Sequence, residues 1–373
     1  MEKEDKVMEY IISSEHQKNS FFAYVNERIR GNTTACVKYI CLNNTTVRVI
    51  CHTQSILPLL RQQFTYTLKD TAEKYDATIL VWHEPEPRYF LATLDARFDP
   101  RKNIQLRLDN VLFKNFYIRI RENQNSNSVF AEIDENAGKI SAHDYKNNTY
   151  YIGLKSFATE DIIKWGHLFV HQLYKICATP NSHLVHGAVV GVENNGVLLC
   201  ARGGGGKSTL TVNALINGFD YVSDDFLVLQ KEGNNLYASP IYSIITLSPK
   251  MYAAMYDKFD GKFVSDNSRL DKYVFNIAAY HKQFKDKYPI KMCMSLNICN
   301  IKEPEIIACN IGPAAARLIH STISQNGDIY NTSAVKKLSD FIKNLPCYQI
   351  NLCPDIEKNT RYLRNFLMSH KGE

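Results

Sequence analysis

Ala201-Arg202-Gly203-Gly204-Gly205-Gly206-Lys207-Ser208-Thr209 is the stretch on which the reading of the fold turns. An apolar run, Gly196-Val-Leu-Leu-Cys200, leads into it, and Ser208–Asn217 leaves it with the spacing of a helix. Consecutive glycines let backbone N–H groups turn inward and form a concave anion cradle, which bulky or β-branched residues would close off or strain. The helix that opens near Lys207 aims the positive end of its dipole at the same anion. Lys207 then supplies a point charge to the β- and γ-phosphates of a nucleoside triphosphate, and the Ser208 hydroxyl is positioned to ligate Mg²⁺. Against the pattern G-x-x-x-x-G-K-[ST], Ala201 stands where the first glycine belongs, which is tolerable if that residue has an ordinary φ and only a methyl group must fit. The competing reading, a flexible glycine turn that happens to precede Lys-Ser, is disfavoured by the strand before it and the helix after it.

Outward from the loop, the strand Tyr221–Ser223 is followed by Asp224-Asp225 and then by Phe226–Leu229, an acidic end on the strand expected beside the glycine loop. Carboxylates there can hold Mg²⁺, directly or through water, and one can take the proton of an attacking hydroxyl. Two carboxylates in one small site titrate as a coupled pair, and the residues alone do not say which is base and which is metal ligand. Upstream, His186-Gly-Ala-Val-Val-Gly-Val reads as a strand joined to the glycine-loop strand through Glu193-Asn194-Asn195. On composition alone His186 reads as a partly buried structural histidine.

Length and composition frame this site. A chain of 373 residues with 45% hydrophobic residues suits two domains. Residues 1–154 alternate short strands with turns: Cys36–Leu42, Val47–Cys51, Ala77–His83, Tyr89–Ala92, Ile104–Leu108, Phe116–Ile120, Val129–Ile133 and Tyr150–Leu154. One helix interrupts them, in which Ile56, Leu59, Leu60 and Phe64 share a face. From Thr159 a capping residue and two acids precede Ile162, Ile163, Trp165, Leu168, Phe169, Leu173 and Ile176, an apolar stripe of helical period that opens the second domain, 155–373. The formal charge of +6 is spread along the chain, which argues against nucleic acid. No pair among the ten cysteines has C-x-x-C spacing, so neither a zinc ribbon nor a redox motif is indicated. Neither a secretory leader nor a membrane span is read in the sequence, and the expected home is the cytoplasm, with thiols reduced.

Taken together, His186-Gly187, the glycine loop with Lys207 and Ser208, the phrase Asn217-Gly218-Phe-Asp-Tyr-Val-Ser-Asp224-Asp225 and their mutual spacing resemble the HPr kinase/phosphorylase superfamily, including the HprK-like kinases found with peptide natural-product pathways. The resemblance covers about residues 160–370. It implies an α/β fold: a PEP carboxykinase/HPr-kinase-like P-loop catalytic domain, carrying here a strand-rich α+β N-terminal domain that selects the substrate. It implies a kinase using ATP or GTP with Mg²⁺, acting on a serine hydroxyl of a protein or peptide, and a homo-oligomer. Asp225 is then the base, His186 an active-site residue near the phosphates, Asp224 the metal-side partner with Ser208, and Gly203, Gly204, Gly205, Gly206, Lys207, Ser208 and Thr209 the nucleotide cradle. Ser239-Pro240-Ile241 and Leu247-Ser248-Pro249 look like the stretch that follows the acidic strand in relatives. Arg269-Leu-Asp-Lys272-Tyr resembles a Lys-aromatic element whose Lys272 reaches a phosphate, with a surface lysine as the equal alternative. Arg317, after Gly312-Pro313-Ala-Ala-Ala, could approach the γ-phosphate from a short helix. Thr209 in place of an acidic residue and the lack of a Glu-Ile-Arg-Gly-like segment speak against HPr itself as acceptor and against phosphorolysis. The alternatives are a small-molecule hydroxyl kinase and a nucleotide-sensing module with little turnover; the acidic pair counts against the sensor, which needs no base beside the γ-phosphate.

Overall fold

The computed structural model describes residues 15–30, 35–85, 117–119, 129–134, 139–158, 167–255, 257, 273–326 and 332–370. It is a mixed α/β protein whose chain divides into two compact units. The first comprises Met1–Cys41, Thr45–Arg61 and Leu68–Leu168, and the second Leu42–Asn44, Gln62–Thr67 and Phe169–Glu373. The main division thus falls after Leu168, further along than the border at 154/155 read from composition.

In the first unit helix α1 (Glu15–Arg30) precedes strands β1 (Cys36–Leu42) and β2 (Thr45–Cys51), with helix α2 (Leu57–Gln63) after them. Then come β3 (Leu68–Lys69), β4 (Ala77–His83), β5 (Tyr117–Arg119), β6 (Val129–Asp134), β7 (Lys139–Asp144) and β8 (Thr149–Leu154). They form one eight-stranded sheet in the order β3-β1-β2-β4-β8-β7-β6-β5. Its centre is parallel, with β4 between β2 and β8 in the registers Val49↔Ile79 and Trp82↔Gly153, while β5 to β8 form an antiparallel meander. Alternating burial along β2 follows its Val-x-Val-x-Cys pattern, as a sheet with one buried face requires. Gly153 is dictated by its neighbour: a Cβ there would lie 2.8 Å from the fully buried Trp82 ring. Strand β7 was not expected, because Ser141, His143 and Asp144 dilute its apolar alternation even though all three are buried. The expected strands Tyr89–Ala92 and Ile104–Leu108 lie outside the described residues.

The second unit opens differently from the sequence expectation. Phe169 is left-handed (φ 63°), so helix α3 runs only over Val170–Ile176 and the stripe through Leu168 and Phe169 is not one continuous helix. Residues 159–166 lie outside the described ones. A left-handed non-glycine residue costs about 1–2 kcal/mol; here the Phe169 ring is buried and stacked on Phe64 at 6.5 Å, which offsets that cost.

Beyond α3 follow β9 (Ser182–His186), β10 (Ala188–Val192), β11 (Asn195–Cys200), α4 (Lys207–Ile216), β12 (Asp220–Ser223), β13 (Phe226–Glu232) and β14 (Asn235–Pro240). A two-stranded ribbon of β15 (Ile244–Leu247) and β16 (Tyr273–Asn276) brackets α5 (Pro249–Met255). The chain ends with β17 (Tyr288–Ile298), β18 (Glu305–Ala308), α6 (Gly312–Asn326), α7 (Thr332–Ile342), β19 (Cys347–Leu352) and α8 (Ile356–Ser369). The nine-stranded sheet orders β12-β10-β11-β17-β14-β13-β9, with β19 on β17 and β18 on β19. Strands β11, β17 and β19 are parallel, so their carboxyl ends lie at one edge.

Every residue of β11 is buried, and its side chains alternate between two cores. Val197 and Leu199 join Leu210 of α4 and Leu363 and Leu367 of α8, whereas Leu198 and Cys200 join Ala314 and Leu318 of α6 and Leu338 of α7. A strand covered on both faces needs an unbroken apolar run, which Gly196–Cys200 supplies.

Candidate functional site

The glycine segment sits between the carboxyl end of β11 and the first turn of α4. Gly204 (φ 75°) and Gly206 (φ 87°) occupy the left-handed region, Gly206 as the cap of α4. The Gly205 N–H closes a turn on the Arg202 carbonyl at 2.9 Å. Nothing lies within 4 Å of a Cβ built on Gly203 or Gly204, so that side of the loop is open, whereas a Cβ on Gly206 would meet Leu352 Cδ1 at 2.9 Å. Ala201, where the pattern has glycine, is buried without a positive φ. The loop therefore needs its special backbone only at Gly204 and Gly206.

Lys207 is buried at the start of α4, and its ammonium donates to the main-chain carbonyl of Asp224. That contact joins the glycine loop to the acidic turn between β12 and β13. The turn is shaped by its own first residue: the Ser223 hydroxyl donates to the Phe226 carbonyl at 2.9 Å and accepts the Asp225 N–H at 3.3 Å. Asp224 is 2% exposed, while the Asp225 side chain is 25% exposed, so the two carboxylates differ in access to solvent.

His186 ends β9, opposite Phe226 in the β9–β13 pairing, and its Nε2 lies 2.6 Å from Asp225 Oδ1. Its main chain is pinned on both sides, with the His186 N–H donating to Thr322 Oγ1 at 3.0 Å and the Ser321 hydroxyl donating to the His186 carbonyl at 3.1 Å. The Gly187 N–H donates to the Asp225 carbonyl at 2.8 Å, fixing histidine and aspartate segments to each other. Buried phenols stand close by: burial first, then the charges of Asp224 and Asp225, push Tyr221 well above its ordinary pKa, and burial followed by Asp225 does the same to Tyr242. Both are held as neutral O–H groups beside a region of negative charge.

The remaining candidates are placed as follows. Ser208 and Thr209 lie in the first turn of α4, half-buried, with the Thr209 hydroxyl turned to the Met251 sulfur. Arg317, on α6, is committed to the end of β17, donating to the Leu296 carbonyl at 2.8 Å and to the Asn297 side-chain oxygen. Lys272 and Arg269 lie outside the described residues. Ser223, Ser321 and Thr322 carry no signal in the sequence: a hydroxyl that props up a neighbour's backbone looks like any other serine or threonine until the chain is folded.

Ser208, a hydroxyl, and Asp224, a carboxylate, are hard oxygen donors of the kind Mg²⁺ takes. No cluster of three or more His, Cys, Asp or Glu side chains able to hold a metal exists among the described residues, so a metal here would draw its other ligands from phosphate oxygens and water, as Mg²⁺ commonly does.

No family model matches the chain, and no curated protein matches it. Among solved structures it is similar to the Hpr(Ser) kinase/phosphatase from Coxiella burnetii, at 12% identity over 51% of this chain and 99% of that one, with a TM-score of 0.29. That is a distant likeness of structure, too slight to bear on chemistry. No helix among the described residues is long and apolar enough to cross a membrane.

Proposed function

We propose that the protein is a P-loop kinase that transfers the γ-phosphate of a Mg²⁺-bound nucleoside triphosphate to a hydroxyl group, with serine of a protein or peptide as the favoured acceptor. The observation that carries this reading is the junction of loop and turn: Lys207 binds the backbone of Asp224 while Asp225, one residue on, pairs with His186. A cradle for phosphate and a solvent-accessible carboxylate are thereby held together by one buried contact.

In this reading the N–H groups of Gly203–Gly206 and the first turn of α4 bind the phosphates, and Lys207 moves from the Asp224 carbonyl onto their β- and γ-oxygens. Ser208 and Asp224 would hold the metal, which neutralises charge on the phosphates. Asp225 takes the acceptor's O–H proton as its oxygen forms a bond to the γ-phosphorus and the bond from phosphorus to the bridging oxygen breaks, leaving the nucleoside diphosphate. His186 is a positioning residue: its Nε2, 2.6 Å from Oδ1, orients the carboxylate. The exposure difference between the acids favours Asp224 for the metal side and Asp225 for the base.

A radiolabelled phosphate-transfer assay run beside a nucleotide titration tests this. Asp225→Asn is expected to bind nucleotide normally and to lose about 10²–10⁴ in turnover, whereas Lys207→Ala weakens binding itself. Full turnover in Asp225→Asn removes the base assignment, and unchanged nucleotide affinity in Lys207→Ala removes the phosphate loop.

A further inference from the structure

The first unit carries a cavity of about 690 Å³, within the usual range for small-ligand sites, and the described residues that line it all belong to that unit. Its position follows from topology. Strands β2, β4 and β8 are adjacent and parallel, so their carboxyl ends meet at one edge of the sheet. The cavity is lined by the residues that continue those ends: Thr53 and Ser55 after β2, His83 at the end of β4, Lys155 and Phe157 after β8. A crevice outside the carboxyl ends of parallel strands is where open α/β sheets bind ligands.

Its lining is cationic. Arg28 reaches in from the last turn of α1 and Lys155 from the end of β8, and no carboxylate is among the described residues that line it. Arg28 is held by its surroundings: its Nε lies 3.4 Å from the fully buried Glu84 carboxylate, and its guanidinium stands 5.0 Å from the Tyr24 ring centre. Glu84 is itself fixed by the Tyr24 hydroxyl at 2.6 Å and the Trp82 indole N–H at 3.1 Å. A buried acid that accepts two hydrogen bonds and stands in ion-pair range of an arginine with 32% of its side chain still exposed is a costly arrangement for packing alone. Lys155 has no carboxylate partner among the described residues.

Neutral donors complete the site. Thr53 Oγ1 accepts the Ser55 N–H at 3.4 Å, which leaves the Thr53 O–H to donate elsewhere. His83 Nε2 lies 3.1 Å from the Lys155 carbonyl; a carbonyl only accepts, so Nε2 carries the hydrogen and ties the β4 and β8 ends together. The His83 and Phe157 rings, 6.0 Å apart, give the cavity an aromatic wall next to its charges.

We infer that this cavity is a second ligand site, independent of the glycine loop, for a small organic oxyanion: a carboxylate or phosphate group held by Arg28, Lys155 and the Thr53 hydroxyl, on an apolar or aromatic body lying against Phe157. A planar guanidinium beside an ammonium suits the two or three oxygens of such a group.

The test is calorimetric titration of the full chain with phenyl phosphate in one arm and benzoate in the other. Saturable binding is expected in at least one arm, weakened about tenfold or more by Lys155→Gln, which lies at an exposed position, and retained in Lys207→Ala. The tighter arm identifies the oxyanion. Arg28→Lys, which keeps the charge beside Glu84 but loses the planar fork, is expected to weaken binding with little change in melting temperature. Absence of saturable binding in both arms overturns the inference, as does binding that Lys155→Gln leaves unchanged. Binding lost in Lys207→Ala but kept in Lys155→Gln assigns the anion to the glycine loop and overturns it equally, while leaving the kinase reading intact.

Discussion

Replacing the loop glycines one at a time by alanine separates backbone demand from space. Gly203 has neither a positive φ nor a neighbour within 4 Å of its Cβ, so Gly203→Ala is expected to be neutral or to stabilise by about 0.4–1 kcal/mol, through the unfolded chain. Gly204, at φ 75° with equally open space, carries only the left-handed cost of about 1–2 kcal/mol, partly offset by the same unfolded-state gain, for a net loss of roughly 1 kcal/mol. Gly206 adds a collision to its φ of 87°: the new methyl would stand 2.9 Å from Leu352 Cδ1, with Ile298 Cδ1 at 3.6 Å. Overpacking of that kind adds about 1–3 kcal/mol, so the total for Gly206→Ala is roughly 2–4 kcal/mol. For a unit of this size that lowers the melting temperature by roughly 5–15 °C, against no loss for Gly203→Ala. The assay is thermal unfolding of the three variants under one buffer, repeated with Leu352→Ala in the Gly206→Ala background. Because Leu352 supplies the nearest atom, the double variant is expected to lose less than the sum of the two single changes. Equal melting temperatures for the three single variants, or additive behaviour with Leu352→Ala, would refute the loop geometry.

Chelation by excess EDTA is expected to abolish phosphate transfer, and added Mg²⁺ to restore it; transfer that persists without divalent metal removes Ser208 and Asp224 as its holders. Burial raises the phenols of Tyr24, Tyr221, Tyr242 and Tyr288, so they stay protonated in the folded chain where unfolded tyrosine ionises near pH 10. A raised folded pKa contributes stability that is whole below the unfolded value and lost as pH rises beyond it, so melting temperature should fall steeply above about pH 10. Ultraviolet titration should then find these phenols among the 22 tyrosines ionising only with unfolding; gradual titration of all 22 in the native state contradicts that. Tyr24→Phe removes one donor from the buried Glu84, at a cost of about 1–3 kcal/mol measured by denaturant unfolding; a change near zero means that Glu84 does not depend on that bond.

What the sequence by itself determined was local. The apolar run Gly196–Cys200, the glycines and the helix at Lys207 follow from short-range rules, since a strand buried on both faces must be apolar and a left-handed loop residue is most readily glycine. The turn at Asp224-Asp225 was legible for the same reason. Less local features were not. Phe169 has the spacing of a helical residue and a left-handed backbone, because stacking on Phe64, more than 100 positions away in the chain, outweighs local preference. His186 and Asp225 lie 39 positions apart and meet only because β9 and β13 pair in the register His186↔Phe226, and Ser321 and Thr322 reach them from α6. That Arg317 would hydrogen-bond the end of β17 was likewise not legible from its own helix. The cationic cavity of the first unit has no motif at all: Thr53, His83 and Lys155 come together because three parallel strands end at one edge, and Arg28 joins them from α1. Pairing register and long-range packing are properties of the whole sheet, which no window of sequence contains.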